Sequence, residues 1–304
     1  MLNGERKKFF ALSTLQPLTI EMKKAFFIAC YFLIVINTSY AITITEGTYN
    51  GIEHFIVYTK NVTYYYDKAG GAFSRIVDRN GNDWVKFNKN PWQKTPQSAA
   101  SSFRGVPNLV DGNSGGIGYP GQQNCVSEKK SRKVIETRSI DGKWQWIWTF
   151  NNNYAELTIE KVDPDVLYKF MYNGVIGGKF NPENQYYGSS LGGPYFEIYD
   201  FNKGEKLYGN WLWMYLGDRD IKRVIFMAMK KPDHQLDSFS FMGDSEKGIF
   251  SENGMSTFGF GVKEDFVPLL KEEGNQFVIG IIEKRVEKPN DHLKIKRIIE
   301  GFLK

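Results

Sequence analysis

The chain predicts an all-β fold, a large antiparallel β-sandwich closed by one short C-terminal helix. Three observations carry that expectation. Short β-rich or alternating runs recur from residue 42 to residue 282, glycine-bearing turns punctuate them, and only one late segment has helical spacing. This cadence belongs to antiparallel sheets and not to alternating βαβ units.

In order, the predicted strands are 42–48, 54–59, 62–66, 73–77, 134–140, 144–150, 154–160 and 166–172, then 195–199, 211–216, 223–229, 239–242, 256–262 and 277–282. Turns are expected at Asn80-Gly81, Asp141-Gly142, Gly177-Gly178 and Gly192-Gly193-Pro194, where glycine meets the backbone demands of a tight reversal. Within 144–150, alternation puts Trp144, Trp146, Trp148 and Phe150 on one face and Gln145, Ile147 and Thr149 on the other. Four large rings on one face predict a core wall, with a sugar-stacking platform as the alternative. Trp211, Trp213 and Tyr215 repeat the pattern. Past Asp291, a plausible N-cap, the stripe Leu293, Ile295, Ile298, Ile299 and Phe302 predicts a terminal helix docked on a sheet edge, with His292 exposed.

The N-terminus reads as a leader. Met22-Lys23-Lys24 is a short basic region, 25–36 is an apolar run too short to span a bilayer, and Ser39-Tyr40-Ala41 offers the small residues of a cleavage site. The expected organisation is an over-extended start at 1–21, a signal peptide at 22–41 and one β-sandwich catalytic domain at 42–304, periplasmic or secreted. Removing 1–41 takes 5 of the 39 basic and 2 of the 34 acidic side chains, leaving 34 against 32. A net charge of about +2 lacks the basic excess of nucleic-acid binders. Of the two cysteines only Cys125 would remain, so no internal disulfide is available and stability must come from packing.

The stretch from Gly70 to Gly121 concentrates glycine, proline and aromatic residues around Arg104-Gly105-Val106-Pro107-Asn108. A hairpin followed by a surface loop accounts for it on structural grounds; a sugar cleft is the functional reading. No nucleophile elbow, phosphate loop, dinucleotide fingerprint or zinc-type H-E-x-x-H is present. Three histidines and one remaining cysteine make a zinc site an unsuitable reading, and Asp233 and Asp237 lack the EF-hand spacing, so neither metal nor cofactor is expected. Proton transfer by scattered residues, or plain binding, is left.

His234, in a polar connection between Asp233 and Asp237, is a candidate acid or base. Arg104 is the candidate reader of a carboxylate, because a guanidinium offers two parallel donors. Tyr119 is a candidate proton relay. Lys179, Tyr172 and Trp213 are candidate substrate contacts, and Glu197 with Glu252 keeps a glycosidase formally open.

Gly70-Gly71 with Asp78 and Gly81, followed by Arg104-Gly105-Val106-Pro107, resembles the early strands of galactose-mutarotase-like β-sandwiches, a fold shared by aldose epimerases and several polysaccharide lyases. Adding Asn82-Asp83-Trp84, Tyr119-Pro120-Gly121 and Phe258-Gly259-Phe260-Gly261, the set also resembles secreted bacterial proteins of polysaccharide breakdown, among them the ulvan oligosaccharide dehydratases. The histidine acid and glutamate base of mutarotases find no counterpart pair here, which argues against simple epimerisation. The resemblance implies elimination from an anionic, uronate-bearing oligosaccharide: loss of water at the non-reducing end as a dehydratase, or chain cleavage as an endolytic lyase. Arg104 would then neutralise the carboxylate, His234 would serve as base or acid, and Tyr119 or Lys179 would take the complementary role. A non-catalytic carbohydrate-binding protein is the alternative of another class.

Overall fold

Strand periodicity sorts side chains to two faces, and that sorting builds the layers seen in the computed structural model, which describes residues 41–90, 98, 104–111 and 116–304. The expected start at 1–21 and leader at 22–41 lie outside the described residues, apart from Ala41. Residues 41–304 form one compact unit. Strands β1 (Thr43–Tyr49), β2 (Ile52–Tyr58), β3 (Val62–Asp67) and β4 (Ala72–Asp78) make a four-stranded meander. Next come β5 (Cys125–Ser131), β6 (Val134–Ser139), β7 (Gln145–Phe150), β8 (Tyr154–Lys161), β9 (Phe170–Gly174), β10 (Gln185–Ser189), β11 (Gly192–Tyr195) and β12 (Leu207–Gly209). The chain ends with β13 (Trp213–Asp218), β14 (Val224–Met229), β15 (Asp237–Met242), β16 (Met255–Phe260), β17 (Gln276–Ile282) and the helix α1 (Pro289–Phe302).

Nine strands form the large sheet, in the order β11-β10-β13-β14-β17-β8-β7-β6-β5; β12-β15-β16-β9 form a third sheet, and every named strand pairing is antiparallel. The antiparallel sandwich with one terminal helix is therefore the fold. One core unites Tyr64 and Phe73 of the first sheet, Trp148, Leu157 and Ile279 of the large sheet, and Phe239 and Phe258 of the third. Trp146, Trp148 and Phe150 are fully buried, so the aromatic face of β7 is a core wall.

The two four-stranded sheets are not independent. Their facing edges, β4 and β9, are joined by the segment 105–109. Phe73 donates to the Val106 carbonyl at 2.8 Å, Gly105 and Asn173 exchange bonds of 2.7 and 2.9 Å, and Met171 and Lys169 donate to Pro107 and Leu109 at 2.6 and 3.0 Å. Trp84 makes a second seam: its amide donates to Ile76 and its carbonyl accepts from Val175 and from the Tyr172 hydroxyl. An unpaired buried backbone group costs about as much as a lost hydrogen bond, so these edges need this partner. In the β3–β4 turn Gly71 has φ 66°, and a Cβ there would fall 2.5 Å from Trp146, a position that suits glycine alone.

Several local expectations are corrected. Gly192-Gly193-Pro194 is not a turn; Ser190 and Leu191 reverse the chain, and the glycines run on as the edge strand β11, where proline withholds no needed donor. The segment 196–199 has no strand structure, because β11 ends at Tyr195. Helix α1 starts at Pro289, with Lys288 as N-cap, and docks on the outer face of the large sheet, not on an edge. Ile295 and Ile299 pack there with Trp213, Phe226 and Val278. His292 is buried in that interface, its Nδ1 3.0 Å from the Tyr215 hydroxyl.

Burial lowers the basicity of His292, with the nearby Lys296 ammonium acting in the same direction. The neutral ring is thus the form the fold favours. Its contribution is complete above the ordinary value near 6.5 and is lost as pH falls through it towards the folded-state value. Melting followed from pH 8 to pH 5 should show an acid loss that is smaller in His292→Gln, with buried His54 supplying part of the remainder; equal pH slopes for both proteins would contradict this.

Candidate functional site

Beyond the seam the chain turns back on itself. Asn108 donates to Gly118, Val110 to Ile117 and Gly116 to Asp111, so the residues around 108–111 and 116–119 form a short irregular hairpin. Its returning arm supplies Ile117 to one wall of a groove of about 520 Å3, lined also by Asn124, Ile140, Asp141, Lys143, Trp144, Asp163 and Val166. The β6–β7 turn makes another wall. Gly142 takes φ 69° there, the Ser139 hydroxyl donates to Asp141, and the amides of Lys143 and Trp144 donate to Asp141 and to the Ser139 hydroxyl. Lys143 reaches across to Asp163 at 2.8 Å. The Ser139 hydroxyl holds Asp141 below its usual carboxylate range, and the Lys143 ammonium does the same for Asp163. Trp144 precedes the β7 strand; its indole is mostly buried, meets Tyr168 edge-on at 5.8 Å and contributes to the lining.

On the same hairpin a second cluster converges. Lys169 Nζ, 1 % exposed, lies 2.5 Å from Asp111 Oδ1 and 2.9 Å from the Phe266 carbonyl, while the Tyr119 hydroxyl donates to the same Asp111 oxygen at 3.0 Å. Burial depresses the Lys169 ammonium and raises the Tyr119 phenol well above its usual range. Tyr119 was visible as a candidate in the sequence; Lys169 and Asp111 were not, because nothing local marks a lysine next to a buried strand as turned inward.

The other predicted residues sit apart from this hairpin cluster. Arg104 is buried and its guanidinium donates to three backbone carbonyls, Lys86 at 3.1 Å, Asn253 at 3.0 Å and Gly254 at 2.6 Å. It braces two loops against the seam. Desolvation lowers its pKa to about 10. Tyr172 lies near Arg104, but its ring is fully buried and its hydroxyl is spent on the Trp84 carbonyl at 2.5 Å. Trp213 is fully buried beneath α1. Neither ring has a face for a sugar, which corrects their assignment as substrate contacts. His234 is exposed on the β14–β15 connection with φ 65°, and Lys179 is exposed beyond the Gly177-Gly178 turn. Among the described residues, neither side chain shares a hydrogen bond with Arg104 or Tyr119. Glu197 is placed beside the Tyr187 hydroxyl at 3.4 Å. Cys125 is a free, buried thiol, pushed up to about 12 by burial. Among the described residues no group of three His, Cys, Asp or Glu could hold a metal ion, and no helix is long and apolar enough to cross a membrane.

No protein-family model and no curated protein matches this chain. Among solved structures, HI1317 is similar over 79% of this chain and 96% of its own, at 11% identity and a TM-score of 0.52. Galactose-mutarotase-like proteins are also among the neighbours. A galactose mutarotase related enzyme from Lactobacillus acidophilus covers 77% of this chain and 100% of its own, at 11% identity and a TM-score of 0.45. A galactose mutarotase-like protein from Lactobacillus casei covers 78% and 99%, at 8% identity and 0.45. At these identities the likeness concerns the fold alone.

The bracing role of Arg104 has a measurable consequence. Arg104→Ala leaves three carbonyls without their donors and should cost about 3 kcal/mol in urea denaturation. Arg104→Lys should recover little, since one ammonium cannot reproduce the fork. Full stability combined with lost saccharide binding would instead return Arg104 to the role of ligand reader.

Proposed function

We propose that the protein recognises carbohydrate, with the groove between the paired segments 108–111 and 116–119, the β6–β7 turn and the 163–166 loop as its binding surface. One observation carries this reading: a groove of about 520 Å3 combines the exposed apolar side chain of Ile140 with the polar side chains of Asn124, Asp141, Lys143 and Asp163. That size and mixture suit a ring with one apolar face and a hydroxyl rim. Asp141 and Lys143 are fixed in place by the turn and by Asp163, so little ordering cost is left to binding. The proposal also takes the protein to be periplasmic or secreted, on the leader-like pattern of 22–41.

A second reading makes the protein a carbon-oxygen lyase on uronate-bearing, ulvan-type oligosaccharides, releasing water at the chain end or cleaving the chain to leave a 4,5-unsaturated uronyl unit. What favours it is the meeting of a phenol, an ammonium and a carboxylate at Tyr119, Lys169 and Asp111. An acid, a compensating cation and a base are the parts such an elimination needs. Arg104 enters this reading as scaffold, and His234 and Lys179 have no part in the cluster.

Calorimetry with neutral and uronate oligosaccharides, run beside ultraviolet absorbance and product mass, separates the two. Binding weakened about tenfold by Lys143→Ala or Asp141→Asn, with no new absorbance, is the expected result, equivalent to about 1.4 kcal/mol. Absorbance gained with loss of one water would establish the dehydratase, and absorbance gained with chain cleavage the lyase. Absence of binding to every saccharide would remove the carbohydrate reading.

A further inference from the structure

We infer that the groove receives a sugar unit bearing a positive charge, a free amino group on the ring being the simplest, and that Asp141 is the residue that selects it. The inference rests on the carbohydrate reading of the groove and adds to it a ligand class and a specificity-determining residue.

Three charged side chains line the groove, Asp141, Lys143 and Asp163. Two of them cancel. The Lys143 ammonium lies 2.8 Å from Asp163 Oδ2, while the amide of Asp165 donates to Asp163 Oδ1 at 3.1 Å. Asp163 is buried, and its pair with Lys143 is a neutral unit of the wall. Asp141 is held differently. Its Oδ1 accepts from the Ser139 hydroxyl and, at 3.1 Å, from the amide of Lys143, and both donors are uncharged. Neutral donors fix a carboxylate without cancelling its charge, and they favour its ionised form, which keeps Asp141 below the usual carboxylate range. The Lys143 ammonium and the Asp163 carboxylate act on Asp141 in opposite directions. Next to the lining, the Lys161 ammonium sits on the Gly142 carbonyl at 2.7 Å and is balanced by the Asp165 carboxylate, which acts on Lys143. The sum is one negative charge, carried by Asp141 on an exposed turn.

That charge selects the ligand. An ammonium meeting Asp141 adds Coulomb attraction to the hydrogen bond that a hydroxyl would make there. A uronate would bring a like charge to the same place, an arrangement that repels. Ile140, beside Asp141 and 68 % exposed, offers the apolar contact that the C–H face of a ring needs next to its charged edge. Because the turn already places Asp141, little order has to be imposed when the ligand arrives.

The test is calorimetric titration with a β-1,4-linked glucosamine tetramer, its N-acetylated counterpart and an oligogalacturonate of equal length, in mildly acidic buffer where the amine is protonated. The free-amine chain should bind about tenfold tighter than the N-acetylated one, and the preference should shrink as salt is raised. Asp141→Asn keeps an oxygen for the Ser139 hydroxyl and the Lys143 amide, so its melting curve should stay close to that of the parent while the two chains come to bind alike. Equal binding of the two chains by the unaltered protein, or a preference that persists in Asp141→Asn, would overturn the inference and leave the groove reading standing. Tighter binding of the uronate chain would do the same. If the unaltered protein binds none of the three, the groove reading fails and the inference with it.

Discussion

Two exposed sheet edges with unpaired amides and carbonyls cannot face each other inside a protein, and the rest of this structure depends on how that constraint is met. The segment 105–109 lies between β4 and β9 and satisfies both, through bonds at Phe73, Asn173, Met171 and Lys169. Two four-stranded sheets become one layer, which shares a common core with the nine-stranded sheet. The side chain just before this segment strengthens the joint from another direction, since Arg104 gathers the carbonyls of the 86 and 253–254 loops. A charge buried to this degree is tolerable because its donors are mostly answered.

The groove is a by-product of the seam's exit. Having paired with both edges, the chain has to leave the layer, and it does so as the hairpin that ends at Tyr119-Pro120-Gly121. Asp67 fixes that return: its carboxylate accepts from the amides of Ala69 and Gly70 and, 2.7 Å away, from Gly121. The wall of the groove is thereby set by the same buried acceptor that shapes the turn between β3 and β4. Lys169, the residue just before β9, then reaches the hairpin, so this cluster is held from the edge of the layer as well as by loops.

How much of this was legible in the sequence follows from the range of each interaction. The β7 alternation announces its core face because a period of two is a local property, and Trp146 and Trp148 are buried as it demands. Strands β5, β10, β11 and β12 were missed; Cys125–Ser131 is rich in charge, Gly192–Tyr195 carries glycine and proline, and each takes its strand character from a neighbour. The helix was found from its stripe, but its docking on a sheet face was hidden, since Trp213 and Phe226 of the partner strands look like any other core residues. Arg104 was read from the sequence as the partner of a substrate carboxylate, and the structure places its guanidinium on backbone carbonyls. Its partners, three carbonyls far away in sequence, could not be read, and a guanidinium saturated by backbone looks the same in sequence as one awaiting a carboxylate. Lys169 and Asp111 are the hardest case, 58 positions apart and joined only when the seam forms.

The central claim is that the 105–109 segment is a structural member of the sheet layer and not a surface loop. Amide hydrogen exchange tests it most directly. The account predicts that the amides of Phe73, Gly105, Met171 and Asn173 exchange as slowly as that of Ile225 in the middle of the large sheet, opening only with global unfolding. Exchange at these four amides at the rate of exposed loops, while Ile225 remains protected, would contradict it.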